Sequence, residues 1–145
     1  MQNCFALEHL LTVAKAEVAA ASTNVTDAAV VDMKGYNAVA FVAILGADTA
    51  ATAKVTLKAA VSDASSMAGA VTLDKTAEYT AQSATDADDK LLVLDVIEPG
   101  KRYVRPLIDR ATANADILAL LAIRYNGMGV PSEMGDVLAR SVATA

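Results

Sequence analysis

The side chains with chemical potential are few and scattered. Asp86, Asp88 and Asp89 cluster in Thr85-Asp-Ala-Asp-Asp, and a calcium ion takes several such oxygens. The run lacks the glycine turn and downstream bidentate glutamate of a helix–loop–helix calcium site, so a solvated acidic loop is expected. Glu8 and His9 are adjacent, but neighbours on a helix point in different directions and no nucleophile motif accompanies them. Cys4 is the single cysteine, which excludes an internal disulfide and a thiolate zinc cage; the single histidine excludes any site with two imidazoles. Gly127-Met-Gly has neither the Gly-x-Gly-x-x-Gly nor the Gly-Lys-Ser/Thr continuation of a phosphate loop. These residues predict no catalytic centre, no metal site and no cofactor.

Charge is arranged more tellingly. Residues 1–100 carry 6 basic and 13 acidic side chains, whereas residues 101–145 carry 6 basic and 4 acidic. All five arginines fall in the second stretch. Arginine is enriched at interfaces because its planar fork meets carboxylates at two points. Arg102, Arg105 and Arg110 are therefore the candidate interface residues, with simple cover of strand ends as the alternative. In a strand, Lys101-Arg-Tyr-Val-Arg alternates its side chains, and it reads best as a hairpin edge meeting a partner chain. The net charge of −5 and sparse local basic density argue against nucleic acid as a partner, because that binding is driven by phosphate neutralisation. The first residues lack the basic region of a secretory signal, and no uncharged apolar run reaches the ~20 residues that span a bilayer. Synthesis in the cytosol without a membrane partner is expected.

A chain of 145 residues suits one domain, and at 54% hydrophobic it can form a core. Leu7, Leu10, Leu11, Ala14 and Val18 recur at helical spacing, which predicts a short helix or arm over residues 1–24, separable from the body. Val13 and Val18 also suit an extended arm. From residue 25 to 127 the signal is β. Tyr36 to Leu45 is apolar at alternate positions on both sides, so cover on both faces is expected. Gly46-Ala-Asp-Thr reads as a turn. Lys54 to Val61 alternates cleanly, with Val55, Leu57 and Ala59 inward and Lys54, Thr56 and Lys58 to water. Val71-Thr-Leu and Thr76 to Ala81 are weaker strands, and Lys90 to Ile97 is a strong one. Pro99-Gly100 suits a turn, and Pro106 in the following strand requires an edge or a bulge. Asp116 to Tyr125 is apolar all round and predicts a central strand. Ser132 caps a short helix with Met134, Val137 and Leu138 in a tail over residues 128–145. Short strands without intervening helices predict an all-β, antiparallel β-sandwich, jelly-roll-like, as a single domain.

Three segments carry a resemblance: Val31-Asp-Met-Lys-Gly-Tyr-Asn-Ala-Val-Ala-Phe-Val, Leu94-Asp-Val-Ile-Glu-Pro-Gly-Lys-Arg-Tyr-Val-Arg, and Arg110-Ala-Thr-Ala-Asn-Ala with the strand after it. Over roughly residues 25–126 the chain resembles small virion proteins from the head gene clusters of tailed bacteriophages. The resemblance implies a β-sandwich on the capsid, a decoration (cement) protein without enzymatic activity. Its implied partners are the major capsid protein and other copies of itself, as a homotrimer. Two alternatives stand beside it. One is a head-completion or tail-associated structural protein. The other is a glycan- or host-surface-binding module using Tyr36, Tyr79 or Tyr103.

Overall fold

A computed structural model describes residues 11–21, 23–48, 53–110 and 115–127. Regular structure there is entirely β: β1 (Leu11–Lys15), β2 (Val18–Ala21), β3 (Val31–Asp32), β4 (Tyr36–Asp48), β5 (Lys54–Ser62), β6 (Val71–Thr72), β7 (Ala77–Thr80), β8 (Leu91–Ile97), β9 (Tyr103–Asp109) and β10 (Ala115–Gly127). Sheet A runs β1-β10-β4-β8, with β2 also on β10. Sheet B runs β3-β9-β5-β6, with β7 also on β5. All pairings are antiparallel. The chain repeatedly crosses between sheets, and its first and last described strands lie side by side. This is a jelly-roll sandwich, the architecture that the alternating strands predict.

The alternation explains the core. Residues directly opposite in register share a face. Val39, Phe41 and Ala43 of β4 therefore line up with Leu94 and Val96 of β8 and with Leu120 and Ala122 of β10. They pack against Val55, Leu57 and Ala59 of β5 and Val104 and Ile108 of β9, all of them buried in one cluster. As expected, Lys54, Thr56 and Lys58 of β5 lie on its opposite side, away from this core.

Two turns set the corners. Between β3 and β4, Tyr36 N–H donates to the Met33 carbonyl at 2.9 Å, and Gly35 takes φ +82°, the value that the third residue of a type II turn needs. Between β8 and β9, Gly100 has φ +70°. That connection leads from sheet A to sheet B, so Arg102 to Asp109 is not the return arm of a hairpin. Instead, β9 lies inside sheet B between β3 and β5. Pro106 fits there because of strand parity. The backbone groups of Ile108 bond Val25 on the β3 side, and Met33 N–H bonds the Arg102 carbonyl on that side. Pro106 therefore aims its missing N–H into the gap between the two-residue β3 and the Val25 bridge, where no ladder bond is lost.

Three expectations change. Residues 11–15 and 18–21 of the expected N-terminal helix or arm are strands of sheet A on β10, and Ala14 enters the core. The pairing edge of β10 outweighs the helical spacing, which β-branched Val13 and Val18 already weaken. Residues 1–10 and the expected tail helix over 128–145 lie outside the described residues. Gly46 continues β4 rather than turning. Finally, the middle of β4 is covered on one face only: Ala40, Val42 and Ile44 stay half-buried, although Ala38 on the same side is buried.

Candidate functional site

The uncovered side of sheet A is the most unusual surface of the described molecule. Register places Val13, Leu121, Val42 and Val93 in one row across four strands. Adjacent rows hold Leu11, Ile123, Ala40 and Asp95; then Ala119, Ile44 and Leu91; then Tyr125, Ala38 and Ile97. Val13, Leu91, Val93, Ile97 and Leu118 are between 40% and 65% exposed. The acid inside this field, Asp95, accepts the Tyr125 hydroxyl at 2.7 Å. Four strands at ~4.8 Å spacing and seven residues at ~3.4 Å rise give roughly 450 Å² of flat face. That lies within the range of the largest apolar patches on monomers, which are often functional.

The opposite exterior, on sheet B, is ordinary. There Lys54 pairs with Glu78 at 3.2 Å and Lys58 with Asp109. The sandwich therefore has one charged exterior and one nearly uncharged one.

At one end, the turn after β3, the start of β4 and the 98–102 connection line an open cleft of about 580 Å³ that includes Lys34, Tyr36, Glu98 and Arg102. Arg102 grips Asp32 at two points, Nε to Oδ1 at 2.9 Å and Nη2 to Oδ2 at 2.8 Å. Lys34 N–H adds a third contact to Oδ1 at 2.9 Å. The Arg102 guanidinium, opposed by burial and aided by the Lys34 amide, holds the Asp32 carboxyl below its ordinary value of 3.8. The Arg124 guanidinium lies 4.7 Å from the Tyr36 ring centroid and donates to the Asp32 carbonyl at 3.1 Å. These groups are engaged with one another, and the arrangement brings no base to a nucleophile.

The three candidate arginines do not converge. Arg102 sits at the cleft on Asp32, with its guanidinium 5.0 Å from the Tyr103 centroid. Arg105 points outward from β9 opposite Ala60. Its charge reaches Asp27, whose carboxyl is lowered chiefly by Lys15. Arg110 is 2% exposed; it donates to the Thr23 and Ala115 carbonyls, each at 2.6 Å. An interface role for the Arg110 side chain therefore gives way to a structural one: it closes the far end of the sandwich.

Asp86 accepts the Tyr79 hydroxyl at 2.6 Å and Gln82 N–H at 2.7 Å. Among the described residues no three potential ligands gather. Cys4, Glu8 and His9 lie outside the described residues. Tyr36 and Tyr103 are each covered by an arginine that also binds Asp32, Arg124 and Arg102 respectively, whereas Tyr79 is bonded to Asp86. The apolar face itself was not singled out by the sequence reading. Its signal was present: β4 and β10 are apolar on both sides, a pattern equally produced by cover within the fold and by cover from a partner. The chain matches no protein-family model and no curated protein.

Proposed function

We propose that the chain is a virion structural protein, a capsid decoration (cement) protein that seats the outer face of sheet A on the outside of a tailed-phage head and braces major capsid subunits. The observation that carries this reading is the contrast between the two exteriors, the sheet A face offering apolar rows where the sheet B face offers ion pairs. Such a face is stable in water only at a cost that a partner removes. Jelly rolls serve in viral capsids and in lectins alike, so the fold does not choose between them. The resemblance of the 31–42, 94–105 and 110–115 segments to phage head proteins supports the capsid reading. Copies set around a threefold of the shell, as a homotrimer, repeat each weak contact and gain by avidity. The reading involves no enzymatic turnover, no cofactor, no nucleic acid and no membrane; the protein is made in the host cytoplasm and ends on the virion.

The test is co-sedimentation of the full chain with purified empty heads and, separately, with tails. The wild type pellets with heads, and Val42→Lys or Leu121→Lys at the centre of the face abolishes this. Pelleting with tails alone replaces the decoration reading by the tail-associated one. Indifference to both, or unimpaired binding by the lysine variants, overturns it.

A further inference from the structure

We infer that β8 is a dimerisation edge, pairing antiparallel with β8 of a second copy about a twofold axis through Leu94. The argument begins with what edges normally carry. Exposed strand edges invite pairing, and proteins blunt them with short strands, lysine, proline or bulges. Among the described residues the other edges are blunted in this way. β3 and β6 have two residues each, β7 and β2 have four, the latter with a register break, and β1 has a register break beside Lys15. By contrast, β8 has seven residues, contains no lysine or proline, and pairs with β4 from Ala38 to Ile44 without a register break.

Strand parity shows which backbone groups are free. The Lys90 carbonyl accepts from Leu45 and Glu98 N–H donates to Asn37, both toward β4. Residues of the same parity (Leu92, Leu94 and Val96) therefore turn their amides toward β4. Leu91, Val93, Asp95 and Ile97 turn theirs to the open side, where no described strand is hydrogen-bonded.

Charge then selects the register. A twofold through Leu94 sets Leu91 opposite Ile97 of the second copy and Val93 opposite Asp95. It also sets Lys90 opposite Glu98, twice, and both of these side chains are exposed. Centring the axis on Asp95 would oppose two aspartates, and centring it on Val93 would place Glu98 against Asp88. The Leu94 register is the one in which unlike charges meet. It forms about eight backbone hydrogen bonds across four narrow pairs, comparable with a typical interface. Because odd residues meet odd residues, both sheet A exteriors point the same way and the apolar face doubles in width. The pairing does not depend on the capsid reading, and it differs from a threefold contact.

The test is the mass of the full chain by light scattering or sedimentation equilibrium at tens of micromolar. The expected assembly has an even number of copies: a dimer, or a hexamer where the threefold contact forms as well. Asp95→Pro, which removes an amide that the monomer does not use, halves its mass. Lys90→Glu weakens association by about tenfold through two exposed like-charge contacts, and Lys90→Glu with Glu98→Lys restores it. Amide exchange supplies a second readout: Leu91, Val93, Asp95 and Ile97 are slow in the assembly and fast on dilution. A monomer, an odd-numbered assembly, or a mass unchanged in all three variants overturns the inference. The two readings fail separately: Val42→Lys, on β4 and away from this edge, abolishes head binding while leaving the mass of the assembly unchanged.

Discussion

Arg102 and Asp32 lie seventy residues apart in the chain and meet in a two-point ion pair. The pair joins β3 to the start of β9, across the corner where the chain passes between the two sheets. With side chains 49% and 40% exposed, it is worth on the order of 0.5–1 kcal/mol. Arg102→Ala should lower stability by about that much, and Arg102→Lys should recover little because an ammonium cannot reproduce the fork. Denaturant midpoints check both.

The same pair gives a pH dependence with a defined sign. The folded Asp32 carboxyl titrates below its ordinary value of 3.8, held there first by Arg102. Its contribution is therefore complete above that ordinary value and is lost as the pH falls through the depressed one. The stability difference between wild type and Asp32→Asn should be constant from neutrality to about pH 5 and shrink steadily below pH 4. A difference that grows on acidification contradicts the assignment.

Arg110 predicts a fold defect instead of an assembly defect. Arg110→Ala leaves the Thr23 and Ala115 carbonyls without their donor and should cost about 2–4 kcal/mol. Thermal unfolding reads this directly, whereas Arg105→Ala, on the exterior, should change stability by less than about 0.5 kcal/mol.

Phe41 and Val42 are chain neighbours on opposite faces of β4, so they separate packing from docking. Phe41→Ala empties the sandwich centre, where the ring is fully buried, and should cost about 3–5 kcal/mol. Val42→Lys should leave the unfolding midpoint nearly unchanged while abolishing attachment to heads.

Removing residues 1–21 should destabilise the body and promote aggregation, because β1 and β2 cover the far edge of β10 and Ala14 lies in the core. A truncated protein with the wild-type midpoint would show that these strands are dispensable.

Much of the architecture was legible locally. The two-residue period of Lys54 to Val61 marks its inward and outward sides because alternation is a property of the strand itself. The lone cysteine and histidine likewise exclude whole classes of site by count. Partnership is different. Whether Leu11 to Ala21 is helix or strand depends on the edge of β10, about a hundred residues away. Whether Arg110 faces a partner or the interior depends on where the Thr23 and Ala115 carbonyls come to rest. Nor can an apolar-on-both-sides strand such as β4 declare from its own residues which side the fold covers. Sequence by itself determined most of the strands and, by count, excluded sites that need two cysteines or two histidines. Tertiary structure alone decided which sheet each strand joined, which apolar face was left outside and which edge stayed open, because hydrogen-bond pairing and burial are relations between distant segments.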